Sequence, residues 1–282
     1  MAEIVVVVDS GADVPQEEVE RHGIVVVPMH VTFGEVSKPD GSFDHDEIVQ
    51  YYEKTGSIPK TSGGTPHDFE VAFDEITAAR PGAHIVYLAY SAVTTASFKS
   101  AEIAAQGRDN ITLIDTKYVT VGQGEIAVRL CEHLEQHPEW TTEEAIAEAN
   151  RLCKQATMSF LPTNLKYLVA GGRLTNAAAF AGTVLRVRPR IDLENGYLVA
   201  TSKYRGRMDK VVNQYLNEFC KDLDREEIWI ALSPRVTDEV KNAIVQTLGK
   251  LGFERIRWAK CGGVISTHGG PNAFAVAGFK AE

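Results

Sequence analysis

The stretch "EIVVVVDS", residues 3–10, decides how the rest of the chain is read. An unbroken β-branched run has no polar face to offer water, so it predicts a strand buried on both sides, as in a parallel sheet covered by helices. Runs of the same kind recur as "GIVVVP" (23–28), "HIVYLAY" (84–90) and "ITLIDT" (111–116). Between them, "DFEVAFDEITAAR" (68–80) and "SAVTTASFKSAEIAAQG" (91–107) carry apolar residues at helical spacing, with Phe98, Ala101, Ile103 and Ala104 on the second. Strand alternating with helix places the chain in the α/β class.

Residues 118–157 read as helical, broken at Pro138 and restarted at Thr141 or Thr142, where a hydroxyl followed by glutamates makes an N-cap. This helical stretch is the expected domain boundary, dividing the chain into 1–158 and 159–282. In the second half "RPRIDLENGYLVAT" (188–201) has the form of a hairpin turning on Asn195-Gly196. A helix is predicted from about Met208, a strand at "IWIALS" (228–233), a helix to about Leu251, and strands at "RIRWAK" (255–260), "GVIST" (263–267) and "AFAVAGF" (273–279).

With 282 residues, 44% of them hydrophobic and 24% charged, the chain has ordinary globular composition and enough length for two cores. Lys and Arg number 29 against 38 Asp and Glu, a net charge of −9, which opposes a nucleic-acid partner. The start "MAEIVVVVDS" carries an acid where a signal peptide needs positive charge, and no apolar run approaches a bilayer span, so a cytoplasmic location is expected. Cys131, Cys153, Cys220 and Cys261 lie far apart without a CxxC pair, which predicts reduced thiols.

No GxxxxGK[ST] loop, GxSxG elbow, HExxH pair or dinucleotide fingerprint is present. His133 and His137 have the spacing of a helical zinc pair, but a solvated helix end before Pro138 accounts for them. Cys261 and His268 stand seven residues apart, too loosely placed to form a thiol–imidazole pair by default. Hydroxyl residues cluster after strands or beside glycine at Asp9-Ser10, "KTSGGTP" (60–66), "YSAVTTASF" (90–98) and Asp115-Thr116. At the carboxyl ends of strands such groups either bind a small anion or cap helices. "GGRLTNAAAFAGTVL" (171–185) sets an arginine ahead of small apolar residues, readable as helix packing or as a narrow apolar tunnel with a cation at its mouth. In "CGGVISTHGGPNAF" (261–274) glycines around His268 let a ligand approach the main chain, or simply make a turn.

"VVVDSGADVP", "IPKTSGGTP", "YSAVTTASFKSA", "YLVAGGRL", "RPRIDLENGYLVATSKYRGR" and "STHGGPNAF" together resemble, in order and spacing, the DegV family of bacterial fatty-acid-binding proteins. The resemblance implies a two-domain fold, with a largely parallel N-terminal sheet flanked by helices and a mixed C-terminal α/β domain, and a lipid tunnel formed by the two. It implies a protein that is not catalytic alone and uses no metal or cofactor. A long-chain fatty acid would be its ligand, presented to a separate ATP-binding kinase subunit for acyl-phosphate formation that feeds phospholipid synthesis. Transient contact with a membrane surface would also fit.

Carried over by motif, Thr61, Thr95, Arg173 and His268 match the groups around the carboxylate. Ser62, Ser97 and Gly269 match secondary contributors, and Arg205 an arginine near the entrance that meets phosphate or the kinase subunit. The chain departs from the family pattern at Gly63-Gly64, where Gln-Pro is common, and at Ala96, where a glycine is common. It departs again at Arg188, where lysine is usual, and at Asn272, where glycine is frequent. Two other functions remain open on the residues: an acyl hydrolase or transferase using Thr95 or Ser91 with His268 as base, and a carrier or sensor of another amphiphile.

Overall fold

In the computed structural model, which describes residues 3–176 and 187–281, the first β-branched run forms β1 (Ile4–Asp9). It is followed by α1 (Gln16–His22), β2 (Val25–Val27), β3 (His30–Phe33), β4 (Val36–Pro39), α2 (Asp46–Thr55), β5 (Lys60–Ser62) and α3 (Pro66–Ala79). Next come β6 (His84–Ala89), α4 (Ser97–Ala104), β7 (Ile111–Asp115), α5 (Thr120–Gln136), α6 (Thr142–Gln155), β8 (Ala156–Leu161) and α7 (Lys166–Ala170). The remainder holds β9 (Val187–Glu194), β10 (Tyr197–Arg205), α8 (Met208–Phe219), β11 (Glu227–Leu232), α9 (Asp238–Lys250), β12 (Arg255–Lys260), α10 (Gly263–Gly269) and β13 (Phe274–Phe279).

Among the described residues the strands form three sheets. A four-stranded sheet, β2-β1-β6-β7, is parallel throughout. A six-stranded mixed sheet runs β10-β9-β8-β13-β11-β12, with only β11 and β12 parallel. A small antiparallel sheet, β4-β3-β5, was not foreseen from the sequence.

Strand alternation sorts the core into layers. Val5 and Val7 of β1 with Ile85 and Tyr87 of β6 pack under Phe69 and Phe73 of α3. Val6, Val8, Val86 and Leu88 face the other way and join Ile126 and Leu130 of α5, Met158 and Phe160 of β8, and Trp229 of β11. On the outer face of the mixed sheet, Ile228, Ile230 and Val276 meet Tyr215 and Leu216 of α8 and Ile244 of α9. Helix α5 therefore lies between the parallel and mixed sheets and shares one core with both.

Local signals explain most boundaries. Thr141 caps α6 with a reciprocal Glu144 box, and Thr65 caps α3 in the same way through Asp68, with Pro66 at the first turn. Asn195 and Gly196 both take positive φ (50° and 86°), as a tight hairpin turn requires. One expectation fails: "GVIST" is not a strand but the body of α10. Its β-branched residues favour extended backbone, yet its first N–H groups are captured by distant carboxylates, and these tertiary caps override the local preference. The alanine-rich run after Asn176 and Arg186 lie outside the described residues.

Glu125 of α5 is buried between the sheets, and neither carboxyl oxygen has a hydrogen-bond partner among the described residues. Burial holds its carboxyl well above the usual range. Because its folded pKa lies above its unfolded one, stability is full in acid and lost as pH climbs past the unfolded value. Glu125→Gln is expected to stabilise the protein by about 1–3 kcal/mol at pH 8 and by less at pH 5. Urea unfolding at both pH values checks this, and equal gains would contradict it.

Candidate functional site

Strand β5 presses the hydroxyl of Thr61 against His268, in the last turn of α10, with Oγ1 2.8 Å from Nε2. The other ring nitrogen, Nδ1, is shielded from solvent and has no hydrogen-bond partner among the described residues. Leaving a lone pair unpartnered costs less than orphaning an N–H. The favoured tautomer is therefore Nε2–H donating to Thr61, which turns the threonine proton away from the imidazole. Gly171 admits the ring, since a Cβ there would stand 2.3 Å from Nδ1.

Burial, reinforced by the Arg173 cation, lowers the His268 pKa to about 4. The imidazole is thus neutral at physiological pH, and the site's positive charge belongs to Arg173. A folded pKa below the unfolded 6.5 means that this stabilisation is complete above pH 6.5 and is lost as pH falls through about 4. Histidine-selective NMR should show His268 titrating near pH 4; a midpoint near 6.5 would contradict this.

Thr95 and Ser97 stand at the start of α4, opposite β5. The Ser97 N–H donates to Thr95 Oγ1 at 3.3 Å, and Ser97 Oγ accepts the Gly64 N–H at 3.0 Å. Gly63 is required here, because a Cβ would lie 2.4 Å from Thr95 Oγ1 and 2.6 Å from Ser97 Oγ. Ala96 has φ −85°, so the freedom of a glycine goes unused at that position. Asp115 and Thr116 hold the preceding loop: Asp115 Oδ1 accepts the Ala92 N–H, and the Thr116 hydroxyl donates to Ala89 O. Arg173 donates from Nη1 to Gly171 O at 2.6 Å and from Nε to Thr94 O at 3.2 Å, so its own anchors come from both sides of the site.

Two cavities lie side by side here. The first, about 30 Å³, is mixed, lined by Thr61, Ser62, Thr95, Arg173 and His268 together with Met29 and Val264. The second, about 40 Å³, has walls of Met158, Phe160, Leu168, Ile265 and Phe274, with Gly269 beside them. Tyr90, Leu198 and His268 border both. The apolar walls were not picked out in the sequence; alternation along β8, which turns Met158 and Phe160 to one side, was the available signal.

The structure thus gathers Thr61, Ser62, Thr95, Arg173 and His268 around one cavity, with Ser97 buttressing it and Gly269 on the neighbouring apolar cavity. Arg205 is not with them: it lies exposed at the end of β10 and lines neither cavity. The hydroxyl against His268 is Thr61, whereas Ser91 donates to Gly196 O and holds the hairpin tip. The Cys261 thiol is pushed well up by burial and by Asp13 and stays protonated. His133 pairs with Glu148 while His137 stacks on Trp140, so the two do not converge on a common ligand. Asn272 takes φ 56°, which explains why a glycine suits that position.

The family model for uncharacterised proteins of the DegV family matches residues 3–281. A DegV domain-containing protein of Caldanaerobacter subterraneus is 25% identical over 98% of both chains. Among solved structures, a DegV family protein from Thermus thermophilus, described by its fatty acid binding, superposes with a TM-score of 0.89 at 29% identity, covering 99% of this chain and 100% of that one. Bacillus subtilis DegV, described as a fatty acid binding protein, superposes with a TM-score of 0.83 at 26% identity, covering 99% and 100%.

Proposed function

We propose, from the premise that this chain belongs to the DegV family, that it binds a long-chain fatty acid, its carboxylate among the hydroxyls and Arg173 of the first cavity and its hydrocarbon running through the apolar one, which widens beyond its 40 Å³ to take the chain. The observation that carries this reading is that an apolar cavity and one lined by hydroxyls and Arg173 lie side by side, with Tyr90, Leu198 and His268 lining both. Thr61 donates its proton to the carboxylate because His268 already occupies its oxygen. Thr95, whose oxygen accepts from Ser97 N–H and lies 3.4 Å from Ser97 Oγ, turns its proton to the carboxylate likewise. Arg173 supplies the counter-charge that a buried carboxylate needs. Each methylene removed from water is worth about 0.8 kcal/mol, so a sixteen-carbon chain gains roughly 12 kcal/mol before ordering costs.

The protein then presents the bound carboxylate to a separate ATP-binding kinase subunit in the cytoplasm, and the acyl phosphate serves phospholipid synthesis. The lack of a nucleotide loop in this sequence supports the division of labour. Exposed Arg205 in this reading meets that partner or a membrane surface, not the ligand. In this reading residues 1–158 and 159–282 act as two domains around the acyl chain.

Mass spectrometry of a solvent extract of the purified protein tests the ligand. A C16–C18 acid in near-stoichiometric amount is expected, and a protein that carries none and takes up neither palmitate nor oleate overturns the reading. Acyl phosphate, trapped with hydroxylamine, should form only when the kinase subunit and ATP are added. Ester hydrolysis by the isolated chain would favour a hydrolase instead.

A further inference from the structure

The glycine pair opening α10 does more than loosen the chain. Gly262 N–H donates to Asp13 Oδ1 at 2.7 Å, and Gly263 N–H donates to Asp40 Oδ1 at 2.6 Å. Both carboxylates are buried and both belong to the N-terminal half of the chain. They converge so closely that a Cβ on Gly262 would stand 3.1 Å from either Asp40 oxygen and 3.3 Å from Asp13 Oδ1. A Cβ on Gly263 would stand 2.4 Å from the Phe43 ring.

Each carboxylate is itself held by its second oxygen. Thr120 Oγ1 donates to Asp13 Oδ2 at 2.5 Å, and Ser10 Oγ donates to Asp40 Oδ2 at 3.0 Å while accepting the Met29 N–H. Asp13 and Thr120 both sit in the left-handed region, at φ 51° and 42°. For a β-branched threonine this is a true outlier, kept only where its surroundings over-determine it. His45 Nδ1 lies 2.6 Å from Cys261 O, adding a third tie at the same helix end. Seven residues later, the other end of α10 carries His268.

We infer that Asp13 and Asp40 are positioning residues: together they clamp the start of α10 and so fix where His268 meets Thr61. Helix α10 has under two turns, too short to hold its own direction, so its orientation is set by what grips its ends. The sequence signature is the pair of glycines, which removes the side chains that would keep the carboxylates from the backbone. The consequence for ligand binding rests on the fatty-acid reading above; the geometric clamp does not.

Four variants test it, read by the NMR signature of His268 (tautomer and titration midpoint) and by palmitate affinity. Asp13→Ala and Asp40→Ala should move the His268 signature toward that of free imidazole and weaken palmitate binding about tenfold, the worth of one net hydrogen bond. Asp40→Asn, which keeps an oxygen for Gly263 N–H, should restore the signature and bring affinity to within about threefold of the parent. Should the alanine variants fail to fold, Gly262→Ala keeps both carboxylates and wedges a methyl between them, and it should shift the signature in the same direction. Folded alanine variants, or a folded Gly262→Ala, with an unchanged His268 signature overturn the clamp. A parent protein that binds no palmitate sinks the fatty-acid reading alone, because the His268 signature still decides the clamp.

Discussion

Gly270→Ala is expected to be among the most damaging single-methyl changes in the protein, lowering stability by about 3–5 kcal/mol. Gly270 follows α10 at φ 71°, ψ 179°, a conformation that L side chains scarcely adopt. The methyl would also stand 2.4 Å from Tyr167 Cδ2 and 2.8 Å from Cε2, inside a buried ring. Strain and overpacking act on the same residue, so neither relaxes without worsening the other. Since Gly270 directly follows the turn that carries His268, fatty-acid affinity should fall together with stability. Thermal unfolding against the parent reads the first effect, at roughly 2–4 °C of midpoint per kcal/mol. A loss under about 1 kcal/mol would show that Tyr167 gives way and the backbone is not strained.

Thr61→Val should weaken fatty-acid binding more than it weakens the fold. The shapes are nearly equal, but the variant has no oxygen to accept from His268 Nε2–H and no proton to give a carboxylate. A hydrogen bond to a charged group is worth about 1.5–3 kcal/mol, so affinity should drop about 10- to 150-fold, while the orphaned His268 Nε2–H lowers stability by about 1–3 kcal/mol. Thr61→Ser, which keeps the hydroxyl, should stay within about threefold of the parent. Isothermal titration with palmitate measures both. A Thr61→Val protein that binds as tightly as the parent would remove this hydroxyl from the site.

What could be read from the sequence follows the range of the interactions involved. Strand β1, the α6 cap at Thr141 and the hairpin at Asn195-Gly196 are dictated within a few residues, and each stands where its residues place it. The identity of α10 depends on Asp13 and Asp40, more than 220 residues away, so "GVIST" read alone suggests a strand. His268 drew notice through its glycines, but its partner Thr61 is 207 residues distant and only motif resemblance joined the two. The apolar cavity collects walls from β8, α7, β10, α10 and β13, and no local pattern announces such a meeting. Gly63 looked like a departure from the family; in the fold it is what lets β5 reach Thr95 and Ser97.

The placement of α5 bears on how the molecule can come apart. Because Ile126 and Leu130 belong to a core that also contains Val6, Val86, Met158 and Trp229, neither sheet can shed the helix without exposing its own interior. A chain cut after residue 158 would release a first piece with one flank of α5 bare, and a second piece with an open apolar floor. Such fragments should be insoluble apart yet able to reassemble when mixed. The intact protein should melt in one cooperative step, with no plateau in which half of it survives.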